Sequence, residues 1–239
     1  MTNSVTLYGL TTKQGTQTNV SPFAWKTAVD LGLLRIPYTW DGKTFEEIRT
    51  SFEAETGVKG ILVPAIKTSD GWVYDSFKIA QHLDNGTLFP DGEAAARKID
   101  EWADSDLRAA IMPLLVPWLY QAQAPTSQAW FLKIKLGGDQ AKIDMLCQAV
   151  LDAQYVDAQA ANVRSKLQSI EEKLRDAPFL AGERAGHADA SVWGWYASTR
   201  AISIQGLDID DIWRHESLPR VAAWVDAVQK AAGVTLALP

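Results

Sequence analysis

Apolar and polar positions change period several times over the first ninety residues, and each change marks an element. "VTLYGL" (5–10) is short, β-branched and aromatic, which predicts a strand. After a polar loop, apolar residues recur at helical spacing from Pro22 to Leu34, with Ser21 directly ahead. A serine followed by proline is a normal helix start, because the hydroxyl can accept an orphan backbone N–H and proline has none to lose. "IPYTW" (36–40) predicts a second strand. In "TFEEIRTSFEAETG", Thr44 and Glu47 have capping-box spacing and Gly57 supplies a stop. "ILVPAIKTSDGWVYDS" predicts two short strands around a Ser-Asp-Gly turn. "SFKIAQHLDNG" (76–86) then predicts a helix capped by Ser76, with Gly86 near its end.

The resulting order, βαβαββα, is the thioredoxin-like arrangement: a parallel pair joined by a crossover, extended by an antiparallel hairpin into a mixed sheet. "NGTLFPDGE" (85–93) reads as a linker, and strand signals fade beyond it. Helical periodicity covers 93–122, 139–177, 187–205 and 217–232, with Pro113 and Pro117 expected to kink or break the first of these. The run from Gln121 to Gly138 reads as a loop or a short helix. The expected fold class is an α/β thioredoxin-like domain over residues 1–88 followed by an all-α domain over 93–239.

Composition narrows the function classes. A formal net charge of -6 over 239 residues opposes a general nucleic-acid or anionic-membrane binder, since both need a basic footprint. The N-terminus has no positive region followed by an apolar one, and "AAIMPLLVPWLY" is short and holds two prolines, so the expectation is a cytoplasmic protein without a membrane span. One cysteine and three histidines give no metal-site spacing. Cys147 falls among Ile143, Leu146 and Val150 at helical spacing, the pattern of a buried, inert thiol. Ten tryptophans supply either core packing or a broad aromatic pocket.

Three features of the first half carry chemistry. In "ILVPAI" the proline removes a ladder donor, which implies a sheet edge or a cis Val63–Pro64 bond; in the cis case Val63 turns its backbone groups outward, toward an added peptide strand. In "YDSF", Asp75 and Ser76 stand at a helix start: Ser76 can hold a carboxylate and Asp75 an ammonium, together an amino-acid head group, or the pair is a plain cap. Ser21 is likewise either a cap alone or a donor to a ligand anion.

With these motifs in place, the chain resembles the cytosolic glutathione transferases over nearly its whole length. "SPFAWKTAVDLGL" and "VYDSFKIAQHLD" are most similar to the fungal etherase-like group, including its fungal-specific A class, related to bacterial β-etherases. The resemblance implies glutathione as co-substrate, Val63 pairing with its cysteinyl backbone, Asp75 and Ser76 holding its γ-glutamyl end, and Ser21 catalytic at its sulfur. It also implies a homodimer and an acceptor site for hydrophobic aromatic molecules between the domains. The candidate walls are Trp118, Tyr120, Trp130, Phe131, Trp193, Trp195 and Tyr196, each otherwise explained as packing. Tyr8 is a second candidate for the sulfur, or a core residue, and Asn19 lies close enough to add an amide donor. Two departures stand out. The cysteine-type classes carry their nucleophile where this chain has Ser21, and "FLAGERAGHADASVWGW" (179–195) has Gly186 where the family's second-domain folding motif has Ser or Thr before Asp189. The resemblance fits two functions: a serine-type transferase acting on aromatic or electrophilic substrates in detoxification, or a ligandin that holds plant phenolics and other apolar aromatics with little turnover.

Overall fold

The computed structural model describes residues 5–202 and 204–236. The first strand, β1 (Val5–Leu10), lies inside a four-stranded sheet of order β2-β1-β3-β4. It pairs in parallel with β2 (Tyr38–Lys43), from Val5 opposite Tyr38 to Leu10 opposite Lys43. On its other side it runs antiparallel to β3 (Ala65–Thr68), with Tyr8 opposite Ala65, and β3 turns back into β4 (Gly71–Tyr74). The parallel pair needs a crossover, which is α1 (Pro22–Leu33). The second strand begins later than residues 36–40 predict: the N–H of Ile36 is spent on the Leu31 carbonyl that closes α1, and Pro37 has no donor to give.

Side chains alternate across β1, so its neighbours divide by face. Gly9 faces Ala24 of α1, whereas Tyr8 stacks on Phe52 with ring centres 5.0 Å apart. Phe52 ends a π-helical turn (Ile48–Phe52) set between α2 (Phe45–Glu47) and α3 (Glu53–Thr56). Thr44 and Glu47 form the predicted capping box, and Gly57 ends the segment in the left-handed conformation. The last helix of this half, α4 (Ser76–Leu83), packs beside α1.

The remaining elements are helical. α5 (Glu93–Trp102) runs through a π-helical turn (Ala103–Leu107) into α6 (Arg108–Ala122), which stays helical across Pro113 and Pro117. α7 (Pro125–Leu136) occupies most of the stretch read as a loop or short helix, and α8 (Gln140–Ala149) and α9 (Ala153–Lys173) divide the predicted 139–177 helix. α10 (His187–Ala201), α11 (Asp210–Trp213) and α12 (Pro219–Ala232) complete the chain, and no described helix is long and apolar enough to cross a membrane. Cys147 is half-buried rather than buried, because α8 lies at the surface with Met145 63% exposed.

The two halves meet chiefly where α1 packs on α10, and glycine makes the approach possible: a side chain at Gly194 would run into the Pro22 carbonyl. That interface also buries charge. Lys26, fully buried, places Nζ 2.7 Å from both Asp100 and Asp104, while His187 Nδ1 lies 2.8 Å from Asp30. Burial pushes the Asp30 carboxyl up, against the pull of His187. Burial opposes ionisation of Asp100 as well, but Lys26, joined by His187 and the Ser191 hydroxyl, outweighs it and holds that carboxyl below its usual range. α1 is thereby locked in axial position by ions as well as by packing.

Candidate functional site

The sheet register brings the sequence candidates to one end of the sheet. Ser21 follows the C-terminal end of β1 through the loop 11–20. Val63 and Pro64 precede β3, whose first residue opposes Tyr8 near that same end. Asp75 and Ser76 follow Tyr74, which opposes Ala65. Four residues from three loops therefore line the edge formed by the end of β1, the start of β3 and the end of β4.

Ser21 is the N-cap of α1, and only 4% of it is exposed. Its Oγ accepts the Ala24 N–H at 3.3 Å, with Pro22 at the first helical position. A hydroxyl that accepts a bond still has its own proton to donate. The approach to Ser21 is held by Asn19: its Oδ1 accepts the Ser21 N–H at 2.9 Å, and its carbonyl accepts Trp25 Nε1 at 2.9 Å. Asn19 thus shapes the turn, and its amide nitrogen remains for other partners. The next residue, Val20, is tied to the helical half through the Ser198 hydroxyl at 2.8 Å.

The Val63–Pro64 bond is cis, and Val63 is half-buried. Its loop is clamped by a pair that sequence reading overlooked: Arg49 bonds Glu53 at 2.6 Å and the Ile61 carbonyl at 2.6 Å, and Glu53 Oε1 accepts the Gly60 N–H at 2.9 Å. The i,i+4 spacing of Arg49 and Glu53 was the available signal. Lys59 is exposed.

At the third loop the structure corrects one expectation. Asp75, not Ser76, is the N-cap of α4, and Ser76 is the first helical residue. Asp75 Oδ1 accepts the Lys78 N–H at 3.1 Å, from a backbone with φ 74° and ψ 127°, outside the left-handed helical well and strained for a residue with a side chain. The reversal it produces leaves the Asp75 side chain exposed and Ser76 buried at 6%. Strained backbone of this kind concentrates at ligand-binding sites.

Tyr8 is absent from this edge cluster. It points to the opposite face from α1, between Phe52 and Trp72, and burial together with Glu55 and Asp41 pushes its hydroxyl up to about 12. The aromatic residues of the helical half also divide. Trp193, Trp195 and Tyr196 are buried in α10, where Trp193 donates to the Val225 carbonyl at 3.0 Å and Trp195 to Asp104 at 3.4 Å, so they are packing. Trp118, Tyr120 and Trp130 are half-buried, and α7 leans across α2 through Phe131 and Phe45, 5.3 Å apart. The corner between α6 and α7 reaches the first loop, where Ala124 N–H meets the Thr12 carbonyl at 3.3 Å.

In the second half, Asp189 accepts the N–H groups of Leu180 at 2.8 Å, Ala181 at 3.3 Å and Gly186 at 3.0 Å, and Trp224 Nε1 at 2.7 Å. Gly186 caps α10 without a hydroxyl. Burial pushes Asp189 up to about 6 despite those four donors.

Comparison with known proteins agrees with this architecture. Residues 153–227 match the family model described as glutathione S-transferase, C-terminal domain. No curated protein sequence matches the chain. Among solved structures, a glutathione S-transferase of Ceriporiopsis subvermispora in complex with glutathione superposes with a TM-score of 0.80 at 18% identity, covering 97% of this chain and 98% of that one. Glutathione transferase GSTFuA3 from Phanerochaete chrysosporium gives 0.76 at 18% identity, covering 97% of each. Glutaredoxin 2 from Salmonella typhimurium in complex with glutathione gives 0.65 at 16%, covering 98% of this chain and 97% of that one. The chain therefore has the glutathione transferase fold, a thioredoxin-like half with a mixed four-stranded sheet followed by a helical half.

Proposed function

We propose that this protein is a glutathione transferase in which Ser21 lowers the pKa of the glutathione thiol. The observation that carries the reading is Ser21 itself: a buried helix cap whose hydroxyl proton is not consumed by its bond to Ala24, on the sheet edge that also holds Val63 and Asp75–Ser76. Two of the superposed structures contain glutathione, which supports the same ligand here.

In this reading the cysteinyl part of glutathione pairs with Val63 as an added strand. Its γ-glutamyl carboxylate meets the Ser76 N–H and hydroxyl at the positive end of α4, and its ammonium meets Asp75. The sulfur lies beside Ser21, where the hydroxyl bond and the N-terminus of α1 favour thiolate over thiol from a starting value of roughly 8.5. The thiol proton passes to solvent, the sulfur lone pair forms a bond to an electrophilic carbon, and the leaving group departs with the electrons of the broken bond. The half-buried Trp118, Tyr120 and Trp130 then face an aromatic acceptor.

The proposed subtype is serine-type and etherase-like, in keeping with the fungal structures among its structural neighbours, and the proposed assembly is a cytoplasmic homodimer. A ligandin role is the second reading. It is favoured by the three half-buried aromatic side chains Trp118, Tyr120 and Trp130. Conjugation of glutathione to an aryl electrophile, measured beside displacement of a fluorescent aromatic probe, separates the two: turnover supports the transferase, and tight displacement without turnover supports the ligandin.

A further inference from the structure

Ser21 is bracketed by two peptide planes, and hydrogen bonds hold both of them. The plane that joins Val20 to Ser21 is pinned at each end: its N–H goes to Asn19 Oδ1 at 2.9 Å, and its carbonyl accepts the Ser198 hydroxyl of α10 at 2.8 Å. On the other side, the Ser21 carbonyl opens α1 by accepting the Trp25 N–H at 3.1 Å. With both planes held, the direction in which the Ser21 side chain leaves the backbone is set.

The Ser198 bond is the part of this frame that comes from the helical half. Val20 and Ser198 are both buried, so water does not stand ready to replace the hydroxyl. Ser198 is the one donor to the Val20 carbonyl among the described residues. A hydroxyl inside a helix ordinarily bonds back to a carbonyl of its own preceding turn, as Thr199 does to Tyr196 at 2.7 Å. Ser198 instead reaches across to the loop. Four residues earlier on the same face of α10, Gly194 lies against the Pro22 carbonyl, so one face of this helix touches the residues on either side of Ser21.

We propose that Ser198 is a positioning residue for thiol activation: through the Val20 carbonyl, the helical half aims the Ser21 hydroxyl at the glutathione sulfur. This role rests on Ser21 being the donor to that sulfur, as proposed above. Without the Ser198 hydroxyl, the plane between Val20 and Ser21 keeps only its N–H bond and is free to rotate. The bond from Ser21 to the thiolate then loses alignment, and part of its strength goes with it.

The test is the pKa of the bound glutathione thiol, followed by nuclear magnetic resonance of glutathione carrying a labelled cysteinyl carbon. The proteins are the full-length wild type, Ser21→Ala, Ser198→Ala, Ser198→Cys and Thr199→Val. Ser198→Ala should raise the thiol pKa by about 0.5–1, less than Ser21→Ala does, with glutathione affinity within about twofold of the wild type. Ser198→Cys, a weaker donor of similar size that reports even where Ser198→Ala fails to fold, should give a smaller rise. Thr199→Val removes a neighbouring buried hydroxyl that serves only its own helix, and should leave the thiol at its wild-type value. The proposal is overturned, with the role of Ser21 intact, if Ser21→Ala raises the pKa and neither Ser198 variant does, or if Thr199→Val raises it as much as Ser198→Ala. If Ser21→Ala itself titrates as the wild type does, the role of Ser21 fails and that of Ser198 falls with it.

Discussion

Asp75 does two jobs that substitution can separate. It caps α4 through Lys78, and in the proposed complex it carries the charge facing the glutathione ammonium. Asparagine keeps the first role, since it is a good N-cap of nearly the same shape, but it removes the charge. Asp75→Asn should therefore leave thermal stability within about 0.5 kcal/mol while weakening glutathione by about 1–3 kcal/mol in calorimetric titration. Equal affinity would move the γ-glutamyl end elsewhere. Asp189 makes a pH prediction. Its folded pKa of about 6 is raised above the usual carboxylate value, so the folded state binds the extra proton; the associated stability is fully present below about pH 4 and is lost as pH rises through about 6. Relative to Asp189→Asn, which does not titrate, the wild type should gain about 3 kcal/mol as pH falls from about 7 to about 4 in denaturant unfolding. A flat difference would contradict the burial argument.

Among elements, α1 positions the most chemistry, and Lys26 anchors it. With Lys26 removed, Asp100 and Asp104 would lose the cation that bridges them. Lys26→Met should cost about 3–5 kcal/mol in unfolding measurements, with much of the loss recovered by adding Asp100→Asn and Asp104→Asn. No recovery would contradict the charge argument. This element also marks where sequence reading stopped. Period changes, the Thr44 box and the Ser-Pro start were legible because they are local. The pairing of Lys26 with residues 74 and 78 positions away was not, because nothing local distinguishes a buried lysine from a solvated one. α6 escaped for a related reason: packing on α9 keeps it helical where Pro113 and Pro117 alone argue for a break. Asp75 replaced Ser76 as the cap because both residues are good caps, and only the φ of 74° chooses between them.

For the whole molecule, the interface of α1 with α10 makes the two halves depend on each other. A fragment ending near Asn85 would expose the face of α1 that carries Lys26 and Asp30, both fully buried in the intact chain. That fragment should be poorly soluble, and cooperative unfolding of it in isolation would contradict the dependence of the first half on its interface with the second. The central claim concerns the one hydroxyl at the start of that helix. The most direct measurement is the ultraviolet absorbance of the glutathione thiolate against pH, bound to the wild type and to Ser21→Ala. The account predicts a bound thiol pKa well below roughly 8.5 in the wild type and a rise in the variant, with stability lower by about 1 kcal/mol from the lost cap and glutathione affinity little changed. Identical titration curves for the two proteins would contradict it and leave Ser21 as a helix cap alone.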